Sequence, residues 1–496
     1  MRKEPRTSSS PRYSKRNSKR STRHDPYQRI AEEESGYKAD QSSSLAQQRL
    51  LFHASSNGSR NGSAFKDPAF GENKILPVHR WVPWIAGFSA SFVDSVCAAY
   101  LHPGNQGARR LVLDPFAGVG TTLLQAVLNG HDAIGFEINP YPSLAATAKI
   151  QTVRINLEQF DAWIDETRRS GKVWRSVAPP KRISAPNLKT RIPFLSPRVE
   201  RQVLHALDFF SSIPDERIAT LFRLALGSII VSVSNYTYEP SLGSRPGAGK
   251  PLIEDADVLA VLLHKLHQMR TDIAWLREKV KENETNTVGA GRVVNANFLT
   301  ANEQLDTASV DLMITSPPYM NNYHYVRNTR PQLYWLSFIS SPEQQRTLET
   351  GNFGKYWQTV RDGQDIELNF EHRDLERTLK QLRETRKGAG AYGGPGWANY
   401  VTAYFNDSYR FLAILKRVLK RKGAGVIVIG NSIIQGMEIK VDKILGEVAV
   451  QQGFKLEGIP CIRDKRVGAS ITQSSVRRGL RTNATLYESA VIIQKP

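Results

Sequence analysis

Residues 111–136 follow one another in an order that few folds accommodate. The apolar run 111–113 leads directly into the glycine-rich stretch DPFAGVGTT, a helical pattern continues to residue 129, and a second apolar run occupies 133–136. A strand that passes through a glycine turn and a helix into a second strand is the start of a βαβ unit. The segment therefore predicts an α/β fold built on a parallel sheet.

Further apolar patterns extend this unit along the chain. Runs of this kind, bounded by turn residues, are typical of buried strands, and apolar residues at three- and four-residue spacing indicate helices. Strands are predicted at 292–294, 310–314, 426–429 and 486–493, and helices at 89–101, 401–419 and 441–451. The order of these elements predicts a mixed, mostly parallel sheet.

The chain between residues 157 and 284 has a different character. Apolar residues recur at three- and four-residue spacing through most of it, which predicts a helical insertion in the α/β unit. A stretch rich in glycine, proline and serine, 234–251, interrupts the helices and predicts a loop. Residues 341–396 are polar and glycine-rich, and we expect them to form a mobile region.

Basic residues outnumber acidic ones: 67 Lys and Arg stand against 47 Asp and Glu, for a net charge of +20. Residues 1–30 hold ten basic residues and two acids, so a basic tail explains only part of the excess. Residues 1–65 show hardly any apolar periodicity and are expected to be disordered. We expect a polyanionic partner, nucleic acid above all, because each phosphate contact releases counterions.

Composition argues against several other classes of protein. No run approaches eighteen consecutive apolar residues, and the N-terminus lacks the apolar core of a signal peptide, so neither a membrane span nor secretion is expected. The two cysteines, Cys97 and Cys461, lie far apart and cannot form a zinc cluster by themselves. We predict no metal site, and a cytoplasmic, prokaryotic-type location whose reducing conditions suit so few cysteines.

The glycine-rich stretch has the features of a ligand-binding turn. Gly118 and Gly120 allow close approach of the backbone, and the start of the following helix offers unpaired N–H groups to a negative group. Glu137 stands seventeen residues after Gly120, at the end of the next strand, where an acid can accept hydrogen bonds from both hydroxyls of a ribose. A nicotinamide-binding fingerprint needs a third glycine where Leu123 stands, which disfavours that cofactor. A plain tight turn is the other alternative.

The motif LDPFAGVGTTLLQA…GHDAIGFEINP closely resembles the cofactor-binding segment of the DNA amino-methyltransferases, which modify adenine N6 or cytosine N4. The resemblance implies a Rossmann-like S-adenosylmethionine-dependent methyltransferase fold, with S-adenosylmethionine as the cofactor. Asn297 stands where the family usually has an Asp that holds the adenine ring, and residues 79–89 resemble the family's extra cofactor-binding motif. The resemblance assigns cofactor binding to Asp114, Phe116, Gly118, Gly120, Thr121, Thr122, Glu137 and Asn297.

A second motif, TSPPY, follows the predicted strand 310–314. An exocyclic amine of a base is a poor nucleophile because its lone pair is delocalised into the ring. The Ser316 hydroxyl and the Pro317 carbonyl would accept its two N–H bonds and favour a pyramidal nitrogen. The prolines stiffen the loop, and Tyr319 would stack on a base flipped from the duplex. The motif resembles the family's [DNS]-P-P-[YFW] loop, which implies catalytic roles for Ser316, Pro317, Pro318 and Tyr319. A proline-rich turn without function is the alternative.

The first residue of this loop bears on the identity of the base. In the resembled family Ser-Pro-Pro-Tyr goes mainly with cytosine N4 and Asp-Pro-Pro-Tyr with adenine N6, so the resemblance favours cytosine N4. The expected function is site-specific methylation of double-stranded DNA, with a cognate restriction system as a candidate partner. The alternatives are an adenine N6 enzyme, an RNA or tRNA amine methyltransferase, and a DNA-binding regulator with an inactive methyltransferase fold.

The order of the two loops suggests how the chain is divided. A basic tail would occupy 1–65, the cofactor-binding half 66–156, the helical insertion 157–290 and the catalytic half 291–496. The family subgroup with this order inserts target recognition between the halves, which makes the insertion a candidate for that role; a scaffold or a dimerisation surface is the alternative. The other candidates for DNA contact are residues 341–396, the rim residues Asn321, Asn322, Tyr323, His324, Tyr325 and Arg327, and the basic stretch 463–481 with Arg463, Lys465, Arg466, Arg477, Arg478 and Arg481. We expect His324 to pack or hydrogen-bond rather than to act as a base.

Overall fold

The computed structural model describes residues 65–66, 71–84, 87–101, 109–175, 180, 182–238, 241–282, 288–465 and 485–496. Nearly all of the predicted tail and most of the basic stretch 463–481 lie outside these residues. The described residues belong to one compact unit, Asn61–Pro496.

The strands of the described chain fall into one large sheet and two small hairpins. They are β1 (Leu111–Asp114), β2 (Asp132–Phe136), β3 (Tyr236–Tyr238), β4 (Leu242–Ser244), β5 (Gly291–Val294), β6 (Val310–Thr315), β7 (Leu419–Gly430), β8 (Ser432–Ile434), β9 (Met437–Ile439), β10 (Lys455–Gly458), β11 (Cys461–Lys465) and β12 (Leu486–Gln494).

The α-helices of the described chain range from single turns to rods of 25 residues. They are α1 (Ala90–Tyr100), α2 (Thr121–Leu128), α3 (Pro140–Ile150), α4 (Leu157–Trp174), α5 (Pro197–Phe210), α6 (Glu216–Ile229), α7 (Val258–Glu282), α8 (Phe298–Ala301), α9 (Tyr325–Asn328), α10 (Arg330–Trp335), α11 (Pro342–Thr350), α12 (Trp357–Val360), α13 (Arg373–Glu384), α14 (Gly394–Val418) and α15 (Val441–Gln451). Short 3₁₀ turns lie at Glu72–Lys74, His79–Trp81, Thr152–Arg154, Pro246–Ala248, Asn302–Gln304 and Lys387–Tyr392.

The large sheet has eight strands in the order β10–β12–β7–β6–β1–β2–β5, with β11 paired to β12 outside this path. Strands β7, β6, β1, β2 and β5 are parallel. Strand β12 runs antiparallel to β7, and β10 and β11 run antiparallel to β12. This mixed, mostly parallel sheet confirms the predicted Rossmann-like α/β fold.

The central strands are apolar on both faces because hydrophobic cores cover both sides of the sheet. Leu113 of β1 and Met313 of β6 pack into one core, whereas Val112, Leu312 and Ile314 pack into another. A parallel strand buried on both faces has a nearly continuous apolar sequence, as VDLMIT does in β6. This explains why the sequence predicted these strands from short apolar runs.

The order in which the chain adds strands to the sheet reverses between β1 and β6. From β1 the chain moves outward through β2 to β5, and it then returns to β6 on the other side of β1. Open α/β sheets bind their ligands in a crevice at the point of reversal, between the carboxyl ends of the two strands that flank it. DPFAGVGTT begins at the end of β1 and TSPPY at the end of β6, so both predicted loops meet at this crevice.

The insertion is largely helical, as predicted, and packs around a hydrophobic core that it shares with helices α3 and α10. Helices α4 to α7 contribute fully buried side chains such as Phe160, Phe222 and Met269, and Tyr141 of α3 joins the same core. The predicted loop 234–251 contains the small antiparallel hairpin β3–β4. No helix in the described part of the chain is long and apolar enough to cross a membrane.

The structure corrects the interpretation of residues 341–396. Helices α11, α12 and α13 lie in this segment, and α14 begins at Gly394 rather than at residue 401. Leu375, Leu379 and Leu382 form a buried stripe along α13. Spacings of four and three residues place such side chains on one face of a helix, although the surrounding sequence is strongly polar.

Candidate active site

A cavity of about 960 Å³ opens at the crevice between β1 and β6. It is large enough for a ligand of cofactor size, and both predicted loops contribute to its walls. The predicted site residues that line it are Asp114, Phe116, Gly118, Thr121, Thr122, Glu137, Asn297, Ser316, Pro317, Pro318 and Tyr319. The structure therefore brings the two motifs together, nearly 200 residues apart in sequence.

Glycines give the turn after β1 its shape. Gly118 and Gly120 have φ angles of +50° and +82°, in the left-handed region that residues with a side chain rarely adopt. An added Cβ on Gly120 would lie 2.8 Å from the Cα of Ala146 in α3, whereas one on Gly118 would lie 3.5 Å from Trp84 Nε1. Gly120 thus lets α3 pack behind the turn, and Gly118 faces the cavity.

Glu137 closes the turn from the end of β2. Its Oε2 accepts a hydrogen bond from the Gly118 N–H at 2.9 Å, and its Oε1 accepts one from the Asn139 N–H at 2.8 Å. Burial raises the pKa of Glu137 to about 7, although these two N–H groups favour the charged form. The carboxylate both braces the glycine turn and presents an acceptor to the cavity.

Asp114, Thr121 and Thr122 connect the turn to neighbouring parts of the structure. Asp114 accepts hydrogen bonds from the Phe116 N–H at 3.1 Å and from the Thr315 hydroxyl at 2.6 Å, and the second bond ties the end of β1 to the end of β6. Burial raises the pKa of Asp114 to about 6. The Thr122 hydroxyl lies 3.5 Å from the Ile314 carbonyl, and Thr121 Oγ1 lies 3.4 Å from Asn73 Nδ2.

Asn297 lines the cavity with its amide engaged by the protein. Its Oδ1 caps α8 by accepting the Leu299 N–H at 2.9 Å, and its Nδ2 donates to the Gly351 carbonyl at 2.9 Å. The second Nδ2 hydrogen and the second lone pair of Oδ1 are left for a ligand by this count. Phe116 and Phe353 meet edge to face beside it, with ring centroids 4.8 Å apart.

The TSPPY loop and the residues that follow it are held by hydroxyl groups of neighbouring elements. Tyr404 of α14 donates to the Pro318 carbonyl at 2.9 Å, and the Ser432 hydroxyl donates to the Met320 carbonyl. The Asn322 N–H donates to the Tyr400 hydroxyl at 3.0 Å. Three hydrogen bonds to the backbone of this short segment fix the loop before any substrate binds, which is the condition for efficient positioning.

The residues after the loop divide between the cavity and the protein interior. Asn321, Tyr323 and Tyr325 line the cavity, as predicted for a rim. His324 stacks on Tyr356 with ring centroids 4.4 Å apart, so it is a packing residue, as expected. Asn322 is turned inward, where its Oδ1 accepts the Trp357 N–H at 3.0 Å.

The predicted segment 79–89 borders the cavity through Val82, Pro83, Trp84, Gly87 and Phe88. The 3₁₀ turn before them is anchored to the insertion, because Arg80 and Trp81 both donate to Asp272 of α7. This link between the cavity wall and the insertion was not predicted from the sequence.

Glu488 is a site residue that the sequence analysis missed. It lies on β12, is 5% exposed and lines the cavity near Tyr319. Arg463, predicted to contact phosphates, donates instead to Glu488 Oε2 from Nε at 2.9 Å and from Nη2 at 2.6 Å. A carboxylate that is nearly buried therefore holds this guanidinium, a partner that the sequence did not reveal, and the phosphate contact of Arg463 stays a prediction. Glu488 had one sequence signal, an acid inside the apolar strand LYESAVIIQ.

The donor set of the cavity fits the cofactor that the resemblance implies. Backbone N–H groups in the first turn of α2 could receive a carboxylate, and Glu137 could accept hydrogen bonds from ribose hydroxyls. Phe116, Phe298 and Phe353 line the cavity and could form apolar walls for a purine.

The chain is similar to Type II methyltransferases. It is 24% identical to the Type II methyltransferase M.BsoBI of Geobacillus stearothermophilus over 459 residues, which cover 84% of this chain and 86% of that protein. It is also 24% identical over 443 residues to the Type II methyltransferase M.AvaI of a Nostoc strain and of Anabaena variabilis, covering 86% of this chain and 88% of each relative. Similarity of this extent makes the protein a homologue of methyltransferase enzymes.

No protein-family model matches the chain. Among solved structures, the chain is similar to the rRNA methyltransferase aviRa from Streptomyces viridochromogenes, at 11% sequence identity and a TM-score of 0.29. The alignment covers 88% of this chain and 96% of that protein.

Proposed function

We propose that the protein is a DNA methyltransferase that transfers the methyl group of S-adenosylmethionine to an exocyclic amine of a flipped base, with N4 of cytosine as the acceptor. The observation that carries this proposal is the meeting of DPFAGVGTT and SPPY at the carboxyl ends of adjacent strands, with Glu137 and Ser316 lining the same cavity. Similarity to Type II methyltransferases over most of the chain supports it.

The cofactor half of the cavity would hold S-adenosylmethionine through three groups of residues. N–H groups at the start of α2 would receive the methionine carboxylate, with Gly118 allowing close approach. Glu137 would accept the ribose hydroxyls, and its contacts with Gly118 and Asn139 keep it oriented towards them. Phe116 and Phe298 would flank the adenine, and Asn297 would offer its remaining amide hydrogen to the adenine edge.

The catalytic half would prepare the amine. When bound, the cofactor supplies an electrophilic methyl group on a sulfonium. The Ser316 hydroxyl and the Pro317 carbonyl would accept the two N–H bonds of the base amine and leave its lone pair pointing towards that methyl group. Tyr319 would stack on the base, and Tyr404 holds the loop at the Pro318 carbonyl. Because these acceptors are positioned in advance, little reorganisation is needed when charge develops.

The acceptor base follows from the first loop residue. Ser316 is a neutral acceptor where relatives of the adenine N6 type more often carry Asp, so the resemblance favours cytosine. A hydroxyl accepts from an amine while it directs its own proton elsewhere, whereas a carboxylate accepts more strongly.

DNA as the substrate is supported by charge and by the surroundings of the site. The net charge of +20 suits a polyanion. We propose that the insertion 157–290 takes part in target recognition, because its hairpin β3–β4 is tied to the rim of the cavity. Tyr238 donates to the Asn328 carbonyl at 2.8 Å and the Leu242 N–H donates to Asn328 Oδ1 at 3.1 Å. The Type II name of the relatives makes a restriction nuclease the natural partner to look for.

Transfer of labelled methyl from S-adenosylmethionine to unmethylated DNA and to RNA, run side by side and followed by nucleoside mass analysis, tests this function. We expect label in DNA alone, as N4-methylcytosine. N6-methyladenine alone would overturn the base assignment and leave the reaction class standing. Label found in RNA alone would overturn the DNA substrate, and the absence of transfer to either would overturn the enzymatic proposal.

A further inference from the structure

The loop 386–392, with the sequence RKGAGAY, lies between α13 and α14 and is exposed along nearly its whole length. The Gly394 N–H closes the foot of this loop by donating to the Thr385 carbonyl at 2.7 Å. A Cβ on Gly394 would lie 1.6 Å from the Leu382 carbonyl oxygen, so the two ends of the loop meet at a distance that only glycine allows. The fold therefore holds the 386–392 loop at a fixed place.

Helix α14 puts the 386–392 loop at the edge of the sheet where TSPPY lies. Tyr404 of α14 donates to the Pro318 carbonyl at 2.9 Å, and one turn earlier the Tyr400 hydroxyl accepts from the Asn322 N–H at 3.0 Å. The helix begins at Gly394, ten residues before Tyr404. At about 1.5 Å per residue, its first residue lies about 15 Å along the helix axis from Tyr404. The 386–392 loop therefore lies about three helical turns from the contact with Pro318, beyond the carboxyl ends of the strands.

Tyr392 presents an aromatic ring to solvent at the end of the 386–392 loop. It is 63% exposed, and every other aromatic residue that the structure describes is half-buried or buried. The Arg361 guanidinium carbon lies 4.6 Å from the ring centroid of Tyr392 and 4.5 Å from that of Trp357. Arg361 Nε also donates to Asp362 at 3.2 Å, which fixes the guanidinium between the two rings. A ring held in this way can stack on a partner at little further cost in side-chain entropy.

A row of aromatic rings links Tyr392 to the residues after TSPPY. Trp357 meets Tyr392 with centroids 5.6 Å apart and stacks on Trp397 with centroids 4.9 Å apart and planes 15° apart. Trp397 in turn meets Tyr400 edge to face at 5.8 Å. The Trp357 N–H donates to Asn322 Oδ1, and the Asn322 N–H donates to Tyr400. The position of Tyr392 is thus fixed relative to the segment that follows the proposed catalytic loop.

Two cations stand in the 386–392 loop beside the exposed ring. Arg386 is exposed, and Lys387 pairs with Glu384, whose side chain is 62% exposed against 67% for the lysine. An exposed pair of this kind is weak, so a phosphate can compete for Lys387. Gly388 and Gly390 have open space around them, which lets a phosphate come close to the backbone. Cations interleaved with an exposed aromatic ring are typical of surfaces that bind nucleic acid.

We propose that the 386–392 loop binds the substrate DNA beside the flipped base, where Tyr392 stacks on a base that flipping has exposed and Arg386 and Lys387 bind phosphates. This inference rests on the proposed function and extends it, because target recognition was assigned there to the insertion 157–290. A base that leaves the duplex exposes the faces of its neighbours, and an aromatic ring can cover such a face.

Tyr392→Ala tests the stacking contact. Steady-state transfer of labelled methyl to unmethylated plasmid DNA gives kcat and the KM for DNA. We expect the KM for DNA to rise at least about fivefold, the loss expected for one stacked base, with kcat within about twofold of wild type. Calorimetry should show unchanged affinity for S-adenosylmethionine, because Tyr392 is not among the residues that line the cavity. Tyr392→Phe keeps the ring and should restore the wild-type KM.

Arg386→Gln and Lys387→Gln test the phosphate contacts. Binding of a labelled duplex of random sequence, titrated at several salt concentrations, measures them. We expect the slope of log K against log salt to flatten by about 0.9 for each contact that is lost. Lys455→Gln is the matched control, because it removes one charge from a lysine that is 66% exposed at the start of β10. Strand β10 runs in the same direction as β7, so this lysine lies at the sheet edge opposite to TSPPY and its variant should keep the wild-type slope.

The outcomes separate this contact from the proposed function. A wild-type KM in Tyr392→Ala, an equal rise in Tyr392→Phe, or slopes in the loop variants no flatter than in Lys455→Gln would each overturn the DNA contact of the loop. As long as the wild-type protein methylates DNA, the proposed function would still stand. Transfer by the wild type to RNA alone, or to neither nucleic acid, would overturn the proposed function and this contact together.

Discussion

The guanidinium of Arg80 donates two hydrogen bonds to the carboxylate of Asp272, from Nε at 3.1 Å and from Nη2 at 2.5 Å, across 192 residues of sequence. The Asp272 side chain is 1% exposed and also accepts from the Val78 N–H and from Trp81 Nε1, each at 3.0 Å. One carboxylate on α7 of the insertion thus holds the 3₁₀ turn that leads into the cavity wall at Trp84.

Replacing Asp272 should cost both stability and cofactor affinity. Asp272→Ala leaves four N–H donors without their acceptor, two of them buried and two on the half-buried Arg80, and we expect the free energy of unfolding to fall by about 3–5 kcal/mol. Binding of S-adenosylmethionine should weaken because the Trp84 segment loses its anchor. Denaturant unfolding and calorimetry measure the two effects.

The control for this change is Asp161→Ala. Asp161 pairs with Arg270 of the same helix α7, but their side chains are 43% and 39% exposed. An exposed pair of this kind contributes about 0.2–1 kcal/mol. Equal decreases in stability for the Asp272 and Asp161 variants would contradict the anchoring role of Asp272.

Ser316→Ala and Tyr319→Ala should abolish methyl transfer while cofactor affinity stays close to wild type. Both residues belong to the loop after β6, whereas Glu137 follows β2 and the glycine turn follows β1. Loss of one positioned hydrogen-bonding group costs a rate factor of about a hundred or more. Transfer assays paired with calorimetry check this, and full activity in both variants would show that SPPY is not the catalytic loop.

The two glycines of the turn should respond differently to a side chain. Gly120→Ala places Cβ against the backbone of Ala146, so α3 must move and the melting temperature should drop strongly. A Cβ at position 118 would meet only the indole of Trp84, at ordinary contact distance, and Gly118→Val adds the strain of the positive φ. It should stay folded and bind S-adenosylmethionine more weakly. The reverse order of effects on melting temperature and on affinity would contradict the assignment of Gly118 to the cavity.

Cofactor affinity should depend on pH through Glu137. Burial raises its pKa to about 7, so the carboxylate that we propose as the acceptor of the ribose hydroxyls forms fully only above that pH. We expect affinity to increase from pH 6 to pH 8. Glu137→Gln cannot ionise and supplies the control, because any dependence that it retains comes from the cofactor itself. Parallel pH profiles for wild type and this variant would rule out the ribose contact.

The raised pKa of Glu137 has the opposite effect on the stability of the protein without cofactor, which should decrease as the pH rises. The pKa of Glu137 lies above its ordinary value of 4.5. The favourable contribution of the protonated group is therefore complete below about pH 4.5 and is lost as the pH rises through about 7.

The features that the sequence predicted are those encoded by neighbouring residues. The βαβ start, the ends of α15 and the strands β2 and β6 agree with the structure to within about one residue, because apolar periodicity and glycine turns act over a few positions. α13 was missed for a different reason. Leu375, Leu379 and Leu382 carry a helical pattern that strongly polar neighbours obscure.

Pairings between distant residues could not be predicted in this way. Arg463 was interpreted as a phosphate contact because it opens a basic stretch, and only the register of β11 with β12 brings it to Glu488. The bonds of Asn297 to Leu299 and Gly351 depend likewise on where α11 ends. Register and packing decide which charges are paired, and a single sequence does not reveal either.

Removing residues 1–60 should change how the protein binds DNA without changing what it methylates. This segment carries thirteen Lys and Arg and six Asp and Glu, about a third of the net charge of +20. The remaining residues, Asn61–Pro496, form a compact unit that contains both loops, so the truncated protein should fold and methylate the same sequence. Its DNA affinity should fall at low salt, and the slope of log K against log salt should flatten by about 0.9 for each phosphate that the tail neutralises in the full-length protein. Titrations at four or five salt concentrations measure that slope. An unchanged slope would mean that the tail does not touch DNA, and failure of the truncated protein to fold would mean that the tail is part of the structure.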